Sequence, residues 1–286
     1  MSPIALALVL SAAVVHASWN LITKRVGGGP PFLWLAALCS VLLYAPPALG
    51  VILLYQPRLD AQAFVFFGGS ALLHLAYFLL LQRGYRVGDL SLVYPLARGT
   101  GPLLSTTAAI LLFGERPSLL ALAGVLLVLG GVVGLLGGPQ LRQGLHNRQA
   151  LGYALLTGLL IASYTLWDKH AVSVLLLSPL LLDYSSNIGR MLLLAPVAWR
   201  ERDAVGALWR TRRWSVLGMA LLNPLSYFLV LTALITTPVS YVAPARELSI
   251  LVGTLFGATL LGEGDARRRL GAAGAMVLGV VALALG

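Results

Sequence analysis

Ten apolar runs, separated by short charged or Gly/Pro connections, constrain this chain more than any other feature. They fall at 3–23, 32–54, 62–82, 90–112, 118–136, 150–168, 178–199, 214–235, 240–261 and 268–285. A run of about twenty apolar residues crosses a hydrocarbon core as a helix, because lipid offers no partner to an unpaired peptide group. The expectation is an all-α integral membrane protein with ten transmembrane helices. Composition agrees: 10% of the residues are charged, against about 25% in a soluble domain. No hydrophilic stretch is long enough for a separate folded domain, which argues against an appended ATPase or receptor domain. The first run lacks a preceding basic segment and a convincing cleavage site, so it reads as a retained span rather than a signal peptide.

The two halves of the chain resemble each other in order. Ala17-Ser18-Trp19-Asn20 in span 1 aligns with Ala162-Ser163-Tyr164-Thr165 in span 6, and both motifs run on to a lysine, Lys24 and Lys169. Ala97-Arg98 in span 4 aligns with Ala245-Arg246 in span 9, and Gly114-Glu115 aligns with Gly262-Glu263 at the same offset. The chain therefore divides into a five-helix repeat over 1–138, a connecting loop over 139–149 and a second five-helix repeat over 150–286. Five is odd, so the second copy must enter the membrane in the opposite orientation. Sequence similarity with odd parity predicts two inverted five-helix repeats, an arrangement found in many secondary carriers.

Positive charge orients the chain. Fourteen of the twenty Lys and Arg residues lie in the first, third, fifth, seventh and ninth connections, and Arg98, Arg190 and Arg246 lie within spans. The positive-inside bias places the odd connections in the cytoplasm and both termini outside. The net charge of +10 is scattered over these connections and forms no tract, so nucleic acid is not an expected partner. The single Cys39 excludes an intramolecular disulfide. A compact Ala/Leu/Gly/Arg-rich chain without long loops suggests a multi-pass protein of a bacterial inner membrane.

Span 4 holds Pro95, Pro102 and Arg98 within its apolar run. Intramembrane charge is expensive and each proline frees a carbonyl, so this span is expected to break beside a protein-lined or wet interior. Ser91, Tyr94, Arg98, Gly101 and Ser105 make one helical stripe; in span 9, Ser240, Pro244, Glu247 and Thr254 share a face, with Arg246 beside it. Arg98 and Arg246 suit an anionic or zwitterionic substrate. Glu247 has two readings: a carrier of a coupling proton, or a fixed strut paired with Arg98 or Arg246. His16, Trp19 and Asn20 on span 1, His74 and Tyr77 on span 3, Tyr164 and Asp168 on span 6, and Asn223 and Tyr227 on span 8 complete the candidate lining of one cavity. Asp183 and Arg190, with Asn187 between them, read as a structural pair. Glu115 and Glu263 read as caps or gate pins at the starts of spans 5 and 10. The glycines from Gly124 to Gly138, matched by Gly271, Gly274 and Gly279, permit close helix approach.

The pattern YPLARGTGPLL…LLFGERPS…AGVLLVLGGVVGLL resembles the end of an EamA-type repeat from the drug/metabolite transporter superfamily. A second copy, SYVAPARELSILVGTLFGATLLGE…RRRLGAAGAMVLGVVAL, ends the chain. The resemblance covers both halves. It implies an ATP-independent carrier that alternates access around a central cavity, working by preference as an exporter, with dimerisation or half-to-half packing through the last helix of each half. Monomer and homodimer are both open. The family's usual cytoplasmic termini oppose the charge bias of this chain. The expected function is thus secondary transport of a small polar metabolite or amphiphile, with a proton or exchange as the coupling, and the lipid bilayer and a small molecule as partners. A passive channel or lipid scramblase and an intramembrane lipid-modifying enzyme are the alternatives, though the acidic residues are dispersed. No GxxxxGK[ST], HExxH, GxSxG or Cys/His cluster is present, so no nucleotide, metal or other cofactor is expected.

Overall fold

A computed structural model describes residues 1–88, 90–136, 147–252 and 266–286. Among the described residues there is no strand, and besides a short helical segment over 248–252 there are ten helices. They are α1 (Pro3–Val26), α2 (Pro30–Tyr55), α3 (Ala61–Val87), α4 (Leu90–Phe113), α5 (Leu119–Leu136), α6 (Arg148–Ser173), α7 (Pro179–Arg200), α8 (Arg202–Thr236), α9 (Val239–Arg246) and α10 (Ala266–Leu285). Six of them, α1, α2, α3, α4, α6 and α8, contain segments long and apolar enough to cross a membrane, and α5 and α10 carry shorter apolar segments. The molecule is a multi-pass membrane protein. In α7 the apolar character is diluted by Asp183, Ser185, Ser186, Asn187 and Arg190.

Local chemistry sets the helix ends. Ser2 and Asp60 accept hydrogen bonds from the backbone N–H of Ala5 (3.2 Å) and Ala63 (2.9 Å), and Asn147 does the same for Ala150 (3.1 Å). Each satisfies a first-turn donor that has no partner within its helix. α1 stops where Gly27 turns to a φ of 89°, a conformation that glycine adopts without steric cost.

The helices interleave the two halves. α1 lies along α8 and α3 along α6; α2 packs on α7 and α8, α3 on α7, α4 on α6 and α9, and α5 on α10. The α5–α10 seam brings backbone close to backbone. A Cβ on Gly124 would stand 2.6 Å from the Gly279 carbonyl oxygen, one on Gly279 would stand 2.7 Å from that of Gly124, and one on Gly131 would stand 2.8 Å from that of Ala272. Here the last helix of each half packs against the other half, which is one of the two roles expected for it.

Three expectations are corrected. α4 runs unbroken from Leu90 to Phe113, through Pro95 and Pro102. A proline removes one hydrogen bond, which a helix absorbs by bending if its neighbours allow. The break falls instead in span 9. There Glu247 forms a tight turn, its N–H bonded to the Pro244 carbonyl (3.0 Å), and residues 248–252 resume as helix. The anticipated shared face of Ser240, Pro244 and Glu247 is therefore not one continuous helical face. The seventh connection is also no loop. α8 begins at Arg202 and bends at Arg212 (φ −132°, ψ 20°), which gives 202–212 a helical course of its own. Exposed Trp209, Trp214 and arginines line this region, the composition of a membrane–water boundary. Asp89, residues 139–146 of the connecting loop, Thr254, Gly262 and Glu263 lie outside the described residues.

Candidate functional site

The polar side chains of the interior converge midway along the bundle. Arg98 on α4 places Nε 2.8 Å from Glu247 Oε2, and its Nη2 donates to Ser249 Oγ (3.2 Å). Arg246, the last residue of α9, holds Nε 3.9 Å from Glu247 Oε1. The turn at Glu247 thus sets one carboxylate between two guanidiniums from different halves of the chain. Arg98 and Arg246 are almost wholly buried and Glu247 is fully buried. Charge this deep persists only when paired. Each guanidinium also faces an aromatic ring: Arg98 lies 6.0 Å from the Tyr94 centroid, and Arg246 lies 5.9 Å from that of Tyr164, with Nη2 3.5 Å from its hydroxyl.

These groups border a cavity of about 160 Å³, smaller than the ~300–1,000 Å³ typical of sites for drug-sized ligands. His16, Trp19, Asn20, His74, Tyr77, Tyr94, Arg98, Tyr164, Asn223, Tyr227 and Arg246 all line it. Asn20 Nδ2 donates to the His16 carbonyl (3.0 Å), and Trp19 Nε1 donates to Ser226 Oγ (3.2 Å). The other two candidates, Asp168 and Glu247, sit behind this lining. Asp168 accepts a hydrogen bond from the Tyr227 hydroxyl, and its Oδ2 lies 3.8 Å from His74 Nε2.

The α4–α6 crossing that presents Arg98 and Tyr164 needs two glycines. A Cβ on Gly101 would stand 2.6 Å from the Ile161 side chain, and one on Gly158 would run into the Thr100 hydroxyl.

Further residues line the cavity that the sequence reading did not assign to it. Gln82 and Tyr85 extend the α3 face of His74 and Tyr77 by two turns, at spacings the sequence already contained. Asp183, Ser186 and Arg190 come from α7. The expected Asp183–Arg190 pair does not form. Asp183 Oδ2 accepts from Asn187 Nδ2 at 3.2 Å, and Arg190 makes no hydrogen bond or ion pair among the described residues. Residues seven apart lie on one face but two turns from each other, so each side chain is free to turn to the cavity.

The lining is lopsided. Thr23, Leu33, Gln82 and Tyr85 carry it towards the ends of the bundle formed by the first and third connections. The opposite end is tied shut. The Glu115 carboxylate accepts the backbone N–H groups of Val239 (2.7 Å) and Ser240 (2.9 Å), and so caps α9 rather than the expected start of span 5. Lys169 Nζ donates to the carbonyls of Leu234 (2.7 Å) and Thr237 (3.1 Å), closing the end of α8 onto α6.

Residues 148–285 match the model of the EamA-like transporter family. A solved structure described as "Crystal structure of protein" has a TM-score of 0.72 to this chain at 17% identity, covering 98% of each chain. At that identity the likeness is one of fold. No curated protein matches the chain.

Proposed function

We infer that this chain, whose residues 148–285 match the EamA-like transporter family, is a membrane transporter of the drug/metabolite superfamily and works as an ATP-independent carrier for a small polar solute. The observation that carries this reading is the half-enclosed, arginine-bearing cavity, lined towards one end of the bundle and latched by Glu115 and Lys169 at the other. A carrier that alternates access needs one such state and its mirror. With the odd connections cytoplasmic by their charge, the latch lies on the outer face, both termini lie outside, and this state faces inward.

The reading includes two inverted five-helix repeats, each supplying one arginine to the centre. Supporting it, α1 packs along α8 as α3 packs along α6, and the fifth and tenth helices pack on each other. A two-fold exchange of first and sixth, third and eighth, and fifth and tenth helices preserves those contacts. Arg98, Arg246 and Arg190 suit a solute with a carboxylate or other planar anion, and the rings of Trp19, Tyr77, Tyr94 and Tyr164 suit its apolar part. Glu247, held between two guanidiniums, is the strut. The direction is export from the cytoplasm of a bacterial cell, by exchange or against a proton.

Reconstitution into liposomes with a panel of amino acids, phosphonates, nucleosides and cationic dyes tests this. The expected result is saturable flux with counter-flow for an anionic or zwitterionic solute. Flux without saturation would mean a channel or scramblase, and absence of flux for every solute would remove the carrier reading.

A further inference from the structure

Asp168 is fully buried where α3, α6 and α8 meet. Its Oδ2 accepts from the Tyr227 hydroxyl, and its Oδ1 has no hydrogen-bond partner. Facing it is the ring of His74. Nδ1 of that ring lies 2.8 Å from the Ser70 carbonyl oxygen. A carbonyl only accepts, so Nδ1 carries the hydrogen of the neutral ring and Nε2 is left as a lone pair. Nε2 has no partner either, and it points across 3.8 Å to Asp168 Oδ2. Two buried acceptors therefore confront each other with nothing to share between them. Unsatisfied buried polar atoms are costly, and one proton would cure both: placed on Nε2 or on the carboxylate, it makes a single charge-assisted or neutral hydrogen bond after a closure of about 1 Å.

We propose that Asp168 and His74 jointly bind one exchangeable proton, the coupling ion of the carrier. The proposal rests on the transporter reading and moves the coupling role away from Glu247, whose carboxylate is already held by Arg98 and Arg246. His74 lines the cavity and so gives the proton a route to water. Its ring stacks on Tyr164 at 4.2 Å, and the same tyrosine carries Arg246 on its face and at its hydroxyl. One ring therefore separates the proton site from the cationic site. The other groups facing the pair are Tyr227 from α8, Ser70 from α3, Arg246 from α9, and Arg190 and Asp183 from α7. An anion docked on Arg246 lowers the positive field over the pair, so solute and proton sense each other without touching.

The test counts protons and needs no solute. Purified protein in lipid nanodiscs is titrated in weak buffer between about pH 5 and 8, the interval where histidine ordinarily changes charge. Asp168→Asn and His74→Gln are each expected to take up about one proton fewer than the wild type, and the double variant no fewer than either single one. A double variant that loses two protons, or an Asp168→Asn variant that matches the wild type, would overturn the proposal. So would uptake suppressed by sodium chloride but not by choline chloride, which marks a metal-cation site. If Asp168→Asn does not yield folded protein, the His74→Gln count decides alone. Liposome flux is read separately: a null count with intact saturable flux removes this proposal only, whereas absent flux removes the carrier reading.

Discussion

Arg98 on α4 and Glu247 in the turn after α9 form a buried ion pair, Nε to Oε2 at 2.8 Å, between residues far apart in the chain. The pair ties the middle of one helix to the break in another. Removing one partner leaves a buried charge uncompensated, which typically costs about 3–5 kcal/mol, whereas replacing both by apolar groups costs far less. Glu247→Gln is therefore predicted to lower the thermal midpoint in detergent sharply. Arg98→Met combined with Glu247→Leu is predicted to recover most of it. A Glu247→Gln protein as stable as the wild type would contradict the strut.

Arg190 presents the opposite case. It lines the cavity and makes no ion pair or hydrogen bond among the described residues, so nothing in the fold depends on its charge. Arg190→Gln is predicted to leave the thermal midpoint unchanged. It should raise the KM for an anionic solute by about 10- to 100-fold, the loss of one charge-assisted hydrogen bond. Saturation curves in liposomes measure this, and an unchanged KM would place the anion elsewhere.

The Glu115 carboxylate closes on two amide N–H groups at the start of α9. Glu115→Ala gives up both bonds, and the state open at the outer face is predicted to gain population by about tenfold or more. The readout is a cysteine at Ser226, which lines the cavity, in a Cys39→Ser background. An impermeant maleimide added outside should label it correspondingly faster in the Glu115→Ala protein. Equal rates would show that Glu115 does not hold the gate.

The α5–α10 seam provides a matched pair of substitutions. Gly124→Ala would press a methyl 2.6 Å from the Gly279 carbonyl oxygen, whereas Gly130, six residues on, has nothing within 4 Å of an added Cβ. Gly124→Ala is predicted to destabilise by about 1–3 kcal/mol through overpacking. Gly130→Ala is predicted to be neutral or to stabilise by about 0.5–1 kcal/mol through helix propensity. Thermal unfolding in detergent distinguishes the two.

Much of the helical layout was legible because a membrane helix writes its length directly into hydropathy. Arg98, Arg246 and Glu247 stood out for the same reason, being charges where charge is expensive. Span 9 was harder. Pro244 lies in it as Pro95 and Pro102 lie in span 4, yet only the former is followed by a turn, and neighbouring helices decide which proline bends and which breaks. The target of Glu115 was hidden as well. Its own chain continues into α5, but its oxygens reach α9, a tertiary choice that spacing does not encode. Asp183 and Arg190 misled because sequence proximity of opposite charges suggests a bond, whereas two turns of helix separate them. Gln82, the last residue of span 3, was within reach of the 3.6-residue period and was passed over, and Tyr85 was missed because span 3 was ended too early.

The glycine seam between α5 and α10 has a mechanical meaning. Backbone approaches backbone there, the Gly124 and Gly279 carbonyl oxygens each lying within 2.7 Å of where a Cβ of the other glycine would stand, so sliding one helix along the other would drive main chain into main chain. The terminal ammonium of Met1, bonded to the Ala284 carbonyl at 3.1 Å, pins α1 to one end of the same structure. What such a joint still permits is a small swivel about its own length. Any rearrangement that turns the cavity from one face to the other must then rock the remaining helices around this hinge-pin, and the largest displacements should fall where the bundle is farthest from it.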